Sequence, residues 1–129
     1  MVRAVSDEQP TVFRSSSISY LRIPAPDPAA AAAFYARVFG WQTEATGSGD
    51  ARFADGSGHV IGHFQADMTA AGEAGVRPYV YVDELEATLG RVVEAGGEVV
   101  RAPYAEGDLR VATFRDPAGN VVGAWHRPA

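Results

Sequence analysis

A strand followed by a helix occurs twice in this chain at one fixed offset, and that repeat restricts the fold more than any other feature. The first copy lies in "SISYLRIPAPDPAAAAAFYARVFGW", residues 17–41. Leu21 and Ile23 alternate with Tyr20 and Arg22, the period-2 pattern of a strand with one apolar and one polar face. Pro24, Pro26 and Pro28 end that strand. Asp27 suits an N-cap, Pro28 the first helical position, Ala29 to Phe39 a helix body, and Gly40 a stop. The second copy, "RPYVYVDELEATLGRVVEAGGEVV", sets Val80 and Val82 against Arg77, Tyr79 and Tyr81. A helix then begins at Asp83 or Glu84, carries Leu85, Leu89, Val92 and Val93 at helical spacing, and stops at Gly96 and Gly97. Asp27 and Glu84 are 57 residues apart, as are Gly40 and Gly97. A constant offset argues for an internal duplication.

Short strands separated by turns follow each helix. In the first half they span roughly 41–47, 50–55 and 59–65, divided by "GSGD" and "DGSG". In the second they span roughly 98–102, 109–115 and 121–126, divided by "YAEGD" and "DPAGN". The predicted class is therefore α+β, built from two βαβββ modules at 16–66 and 77–127 within one compact domain. Residues 1–15 read as a loose arm, and 67–76, small and polar, as a linker. In each module one strand face is apolar and takes the helix; the other is polar and aromatic and must face something else.

Composition narrows the function. With 129 residues and 47% hydrophobic side chains the chain can bury a sizeable core. Its net charge of −5 argues against nucleic acid and anionic membranes, which need clustered positive charge. Cysteine is absent, which excludes disulfides, thiolate chemistry and cysteine-based zinc sites. All 11 basic residues are Arg, so Schiff-base catalysis is excluded too. The first residues lack the apolar core of a signal peptide, and the run Ala29–Ala36 is too short to span a bilayer; a cytoplasmic protein is expected. No phosphate-binding glycine loop, nucleophile elbow or H-E-x-x-H motif occurs.

The pieces "IPAPDPAAAAAFYARVFGW", "YVYVDELEATLGRVVEAGGEVV" and "FRDPAGNVVGAWH", in this order, resemble the vicinal oxygen chelate family. That family includes glyoxalase I, extradiol dioxygenases, fosfomycin-resistance enzymes and bleomycin-resistance proteins. The resemblance covers roughly residues 17–127. It implies that the strands of both modules curl into a mixed-sheet cup with the helices outside, and that the protein is a homodimer. It also implies a divalent metal held in the cup by His, Gln or Glu. The positions it assigns fall on Tyr20, Arg77 and Gly123, with His63 on the strand that supplies the remaining ligand. A guanidinium cannot coordinate a cation, glycine offers no donor, and a neutral phenol is a poor one. No metal and no other cofactor is expected.

By strand parity the cup side receives Tyr20, Arg22, His59, His63, Arg77, Tyr79, Tyr81 and Trp125. Aromatic faces suit planar ligands through offset stacking, and Arg22 and Arg77 can hold a carboxylate or phenolate. Tyr20, Arg22, Arg77, Tyr79, Tyr81 and Trp125 are thus the candidate ligand-binding set. His59 and His63 in "GHVIGHF" stand roughly 13 Å apart on a strand at about 3.3 Å per residue, too far to share an ion. The expected function is a metal-independent binding protein of the glyoxalase/bleomycin-resistance type, holding an aromatic, optionally anionic metabolite or antibiotic. One alternative is a metal-free isomerase, cyclase or lyase with His63, His59 and Tyr20 as catalytic proton carriers. Another is a dioxygenase or glyoxalase-like enzyme with relocated metal ligands. Asp27 reads as a cap and Asp116 as a turn residue. Phe34, Tyr35, Phe39 and Trp41 read as core, and Tyr104 and Glu106 as part of a loop that could cover the cup.

Overall fold

A computed structural model describes residues 9–46 and 49–129. The first module runs β1 (Tyr20–Pro24), α1 (Pro28–Phe39), β2 (Gln42–Ala45), β3 (Ala51–Ala54) and β4 (Ile61–Gln65). The second runs β5 (Tyr79–Tyr81), α2 (Leu85–Glu94), β6 (Glu98–Glu106), β7 (Leu109–Arg115) and β8 (Val121–His126). Local chemistry sets the helix ends. The Asp27 carboxylate accepts from Ala30 N–H at 3.2 Å, Pro28 opens α1, and Gly40 closes it at φ 72° while donating to Ala36 O. Glu84 caps α2 without a side-chain bond, and Gly96 turns the chain out at φ 98°.

Both modules form a four-stranded sheet of the same order, β1-β4-β3-β2 in sheet A and β5-β8-β7-β6 in sheet B. In each, the outer first strand runs parallel to the last and every other pairing is antiparallel. Neither sheet closes on itself. The duplication read from the 57-residue offset is thus a duplication of topology.

One apolar core runs through both modules. Ile23, Tyr35, Trp41, Phe53 and Phe64 from the first are continuous with Leu85, Leu89, Phe114 and Val122 from the second. The helices meet in the middle. Phe34 and Phe39 of α1 lie 6.1 and 6.0 Å from the Phe114 ring of β7, and Arg91 Nε of α2 donates to Val38 O at 3.1 Å. Each sheet therefore spends its apolar face on the helix layer and leaves the other open. On those open faces stand three exposed tyrosines: Tyr20 at 41%, Tyr79 at 43% and Tyr81 at 47% accessibility. Among the described residues, no helix is long and apolar enough to cross a membrane.

Two local expectations need correction. β6 extends to Glu106, so Tyr104 and Glu106 lie on a strand and not in a covering loop. The turn needs only Gly107 and Asp108, because Gly107 adopts φ 60°. Pro103, which lacks an N–H, is tolerated because β6 is an outer strand and its pairing with β7 is irregular between Arg101 and Tyr104. Second, β4 begins at Ile61, leaving His59 before the strand.

Candidate functional site

Polar groups gather on the open face of sheet A because β1 and β4 pair in parallel, with Arg22 beside His63. Tyr20 Oη is hydrogen-bonded to His63 Nδ1, and the two rings lie 5.8 Å apart, tilted by 40°. His63 Nε2 lies 3.3 Å from Asp50 Oδ2, a residue that the sequence places where the "GSGD" turn meets the next strand. Arg22 donates to Gln65 Oε1 at 2.7 Å, and its guanidinium carbon lies 5.6 Å from the Tyr20 ring centre.

Sheet B presents an aromatic face instead. Tyr81 and Trp125, neighbours in register on β5 and β8, meet edge to face at 4.9 Å and 84°. Tyr79 pairs with Gly123. A methyl group at Gly123 would overlap the Tyr79 ring, at 2.7 Å from Cγ and closer still to Cδ2 and Cε2. Glycine is there so that the ring can lie across the bare backbone. His126 Nδ1 is 2.9 Å from Val82 O and serves the strand ladder's end.

Residues of β1, the segment 68–78, β5 and the start of β8 line a crevice of about 590 Å³. Arg22, Arg77 and Tyr79 all line it, with apolar walls that include Ile18, Met68 and Val121 and no carboxylate. Arg77 donates to Glu73 O at 3.1 Å. A larger cleft of about 780 Å³ on the far side of β5 shares only Tyr79 and Tyr81 with the expected set. Its lining mixes Asp55, Asp83 and Glu84 with Arg37 and Arg91, which offers no preference for a negative ligand.

The structure thus divides the expected residues into groups. Tyr20 joins His63, Tyr81 joins Trp125, and Arg22, Arg77 and Tyr79 share the crevice. Among the described residues, no hydrogen bond or ring contact links the Tyr20–His63 group to the Tyr81–Trp125 group. His59 stands apart from all of them: its Nδ1 lies 3.0 Å from Thr11 O, which ties the N-terminal segment to the β3–β4 turn.

A buried network joins the modules beneath the crevice. Asp116, only 3% exposed, accepts from Tyr35 Oη at 2.8 Å, from the backbone of Ala118 and Asn120, and from Asn120 Nδ2. The same Asn120 amide reaches the carbonyl of Pro24 at 2.7 Å. Burial first, then the negative charge of Asp116 and the hydrogen bond to it, hold the Tyr35 phenol well above its ordinary pKa. Neither role was visible in the sequence. Asp116 and Asn120 satisfied a turn pattern, Tyr35 a helix face, and 81 residues separate the phenol from its acceptor.

A match to the glyoxalase-like domain covers residues 20–123. The chain belongs to the glyoxalase-like family. Its relatives include CFP32 of Mycobacterium bovis, 29% identical over 122 residues, covering 88% of this chain and 46% of that protein. Another is the anthracycline biosynthesis protein DnrV of Streptomyces peucetius, 28% identical over 139 residues, covering 91% of this chain and 49% of that protein. The chain spans about half the length of these curated relatives. The fold matches that of TnmS3, an antibiotic binding protein from Streptomyces sp. CB03234, with a TM-score of 0.67 and 23% identity. That match covers 88% of this chain and 97% of TnmS3.

The divalent metal implied by the vicinal oxygen chelate resemblance does not fit the residues at its positions. Tyr20 is engaged with His63, Arg77 is a cation, and the Tyr79 ring occupies the space that a side chain at position 123 would need. Among the described residues, no three His, Cys, Asp or Glu side chains stand close enough to hold an ion.

Proposed function

We propose that this protein is a metal-independent binder of a small aromatic, anionic molecule, a metabolite or an antibiotic, and works in the cytoplasm as a homodimer. One observation carries the reading: a crevice of about 590 Å³ whose lining includes Arg22, Arg77 and Tyr79 and no carboxylate. Arg22 and Arg77 suit the anionic group through charge-assisted hydrogen bonds, and Tyr79 suits the ring. The volume is that of ordinary small-molecule sites. That TnmS3 is an antibiotic binding protein and DnrV an anthracycline biosynthesis protein supports this class of ligand. The exposed tyrosines on both open faces support a dimer in which a second copy covers them.

Titration of the intrinsic tryptophan fluorescence with a panel of aromatic carboxylates and phenolic natural products tests the reading. The expected result is saturable binding that Arg77→Ala weakens about 10- to 100-fold, the loss of a charge-assisted bond worth about 1.5–3 kcal/mol. Binding that needs an added divalent ion, or none across the panel, would reject it. Sedimentation of the same sample reports the oligomeric state.

A further inference from the structure

The open face of sheet A carries an arrangement that ligand binding in the crevice does not use. His63 Nδ1 is hydrogen-bonded to Tyr20 Oη, and its Nε2 lies 3.3 Å from Asp50 Oδ2 in an ion-pair contact. The carboxylate beside Nε2 favours the ring proton on that nitrogen. In the neutral ring Nδ1 is then a bare acceptor, and Tyr20 donates its O–H to it. Three groups from three segments thus stand together, Tyr20 hydrogen-bonded to His63 and His63 in ion-pair contact with Asp50. Each remains open to a ligand, with side-chain exposures of 27% for His63 and 47% for Asp50 beside the exposed Tyr20. Two guanidiniums flank them in register: Arg22 on β1, held by Gln65, and Arg52 on β3, held by Glu44.

We propose that Tyr20, His63 and Asp50 form a proton relay with acid–base activity toward a weakly acidic O–H or enolisable C–H compound lying against Tyr20. The phenol proton of Tyr20 moves to His63 Nδ1 as Tyr20 Oη takes the acidic proton of the ligand. The products are a ligand enolate or phenolate beside Arg22 and an imidazolium paired with Asp50. Return of the proton to the same or a different ligand atom restores Tyr20, His63 and Asp50, so the reaction class is isomerisation with no oxidant, reductant or co-reactant. Tyr20 is the catalytic residue, His63 its proton acceptor, and Asp50 a positioning residue that fixes the imidazole tautomer. This goes beyond the binding reading; it shares Arg22 with the crevice but does not use Arg77.

Long-range 1H–15N spectra of the full chain with labelled histidines, at neutral pH, test the relay without any ligand. His63→Gln identifies the His63 signals. The wild type is expected to show the Nε2-protonated tautomer alone, and Asp50→Asn a mixture of both tautomers with unchanged circular dichroism. A wild-type mixture, or a tautomer indifferent to Asp50→Asn, overturns the proposal. The second arm uses p-nitrophenol, whose anion absorbs in the visible. With wild type it should ionise about one pH unit lower than when free, a tenfold shift in its ionisation constant. His63→Gln should remove that shift. No absorbance change with the wild-type protein, whether from absent binding or binding without ionisation, overturns it. Failure of the crevice reading shows instead as unchanged affinity in Arg77→Ala, so the two are separable.

Discussion

The parallel strand pairs of the two modules are topological equivalents that have taken opposite chemistry. In sheet A, Arg22 stands beside His63 and the surface is a web of donors and acceptors. In sheet B, the corresponding pair is Tyr79 beside Gly123, and a ring lies flat where the first module exposes a titratable group. Duplication preserved what the backbone needs: strand order, helix placement and the apolar face. The open faces carry no such constraint. A strand residue pointing away from the core can change without disturbing the hydrogen-bond ladder, so one half became polar and the other aromatic.

Breaking the link between the halves should have the largest effect. Asp116→Ala strands the Tyr35 hydroxyl, the Asn120 amide and two backbone N–H groups in the interior. We expect a loss of about 3–5 kcal/mol in urea unfolding, with both modules still unfolding in one transition because they share a core. Separate transitions for the two halves would contradict the shared core. Gly123→Ala comes next. Its methyl group collides with the Tyr79 ring, and overpacking of this kind costs about 1–3 kcal/mol. Adding Tyr79→Ala should recover much of that loss in a double-mutant cycle; additive losses would mean the ring is not what excludes a side chain there.

Tyr35→Phe should cost about 1–2 kcal/mol near neutral pH, since it removes one hydrogen bond to a buried carboxylate. It also has a pH signature. The folded state holds the Tyr35 phenol above its ordinary pKa of 10.0, so it favours the neutral form. That contribution is complete below about pH 10 and is lost as pH rises from there towards the folded value. Wild-type stability should therefore fall on the alkaline side by a component that Tyr35→Phe lacks, measurable as a difference in unfolding midpoints between pH 9 and 11. The smallest effect belongs to the open face of sheet A: His63→Gln should change stability by less than about 0.5 kcal/mol, as exposed positions usually do. A large loss there would make the polar face part of the scaffold.

Much of the scaffold was legible before any coordinates. Asp27, Pro28 and Gly40 marked both ends of α1, and alternation along residues 20–23 and 79–82 told the core face from the open one. Tyr104 and Glu106 were misplaced because "YAEGD", with its Gly-Asp pair, resembles a loop, while β6 pairs with β7 through Tyr104, Ala105 and Glu106. Asp50 was hidden for a related reason. In "GSGD" it satisfies a turn pattern, and nothing nearby in the chain announces the imidazole it meets.

What the sequence determined by itself is the duplicated βαβββ plan, the helix limits and the identity of each strand's two faces. Those properties are written in periods of two and of about 3.6 residues and in caps that act within one turn. Only the tertiary structure decided which open-face residues meet. Tyr20 reaches His63 across 43 residues and Tyr35 reaches Asp116 across 81, distances over which sheet order and register, not local propensity, choose the neighbour. The glycine at 123 belongs to both accounts: its missing side chain was plain in the sequence, and the ring that requires the absence appears only once β5 is laid beside β8.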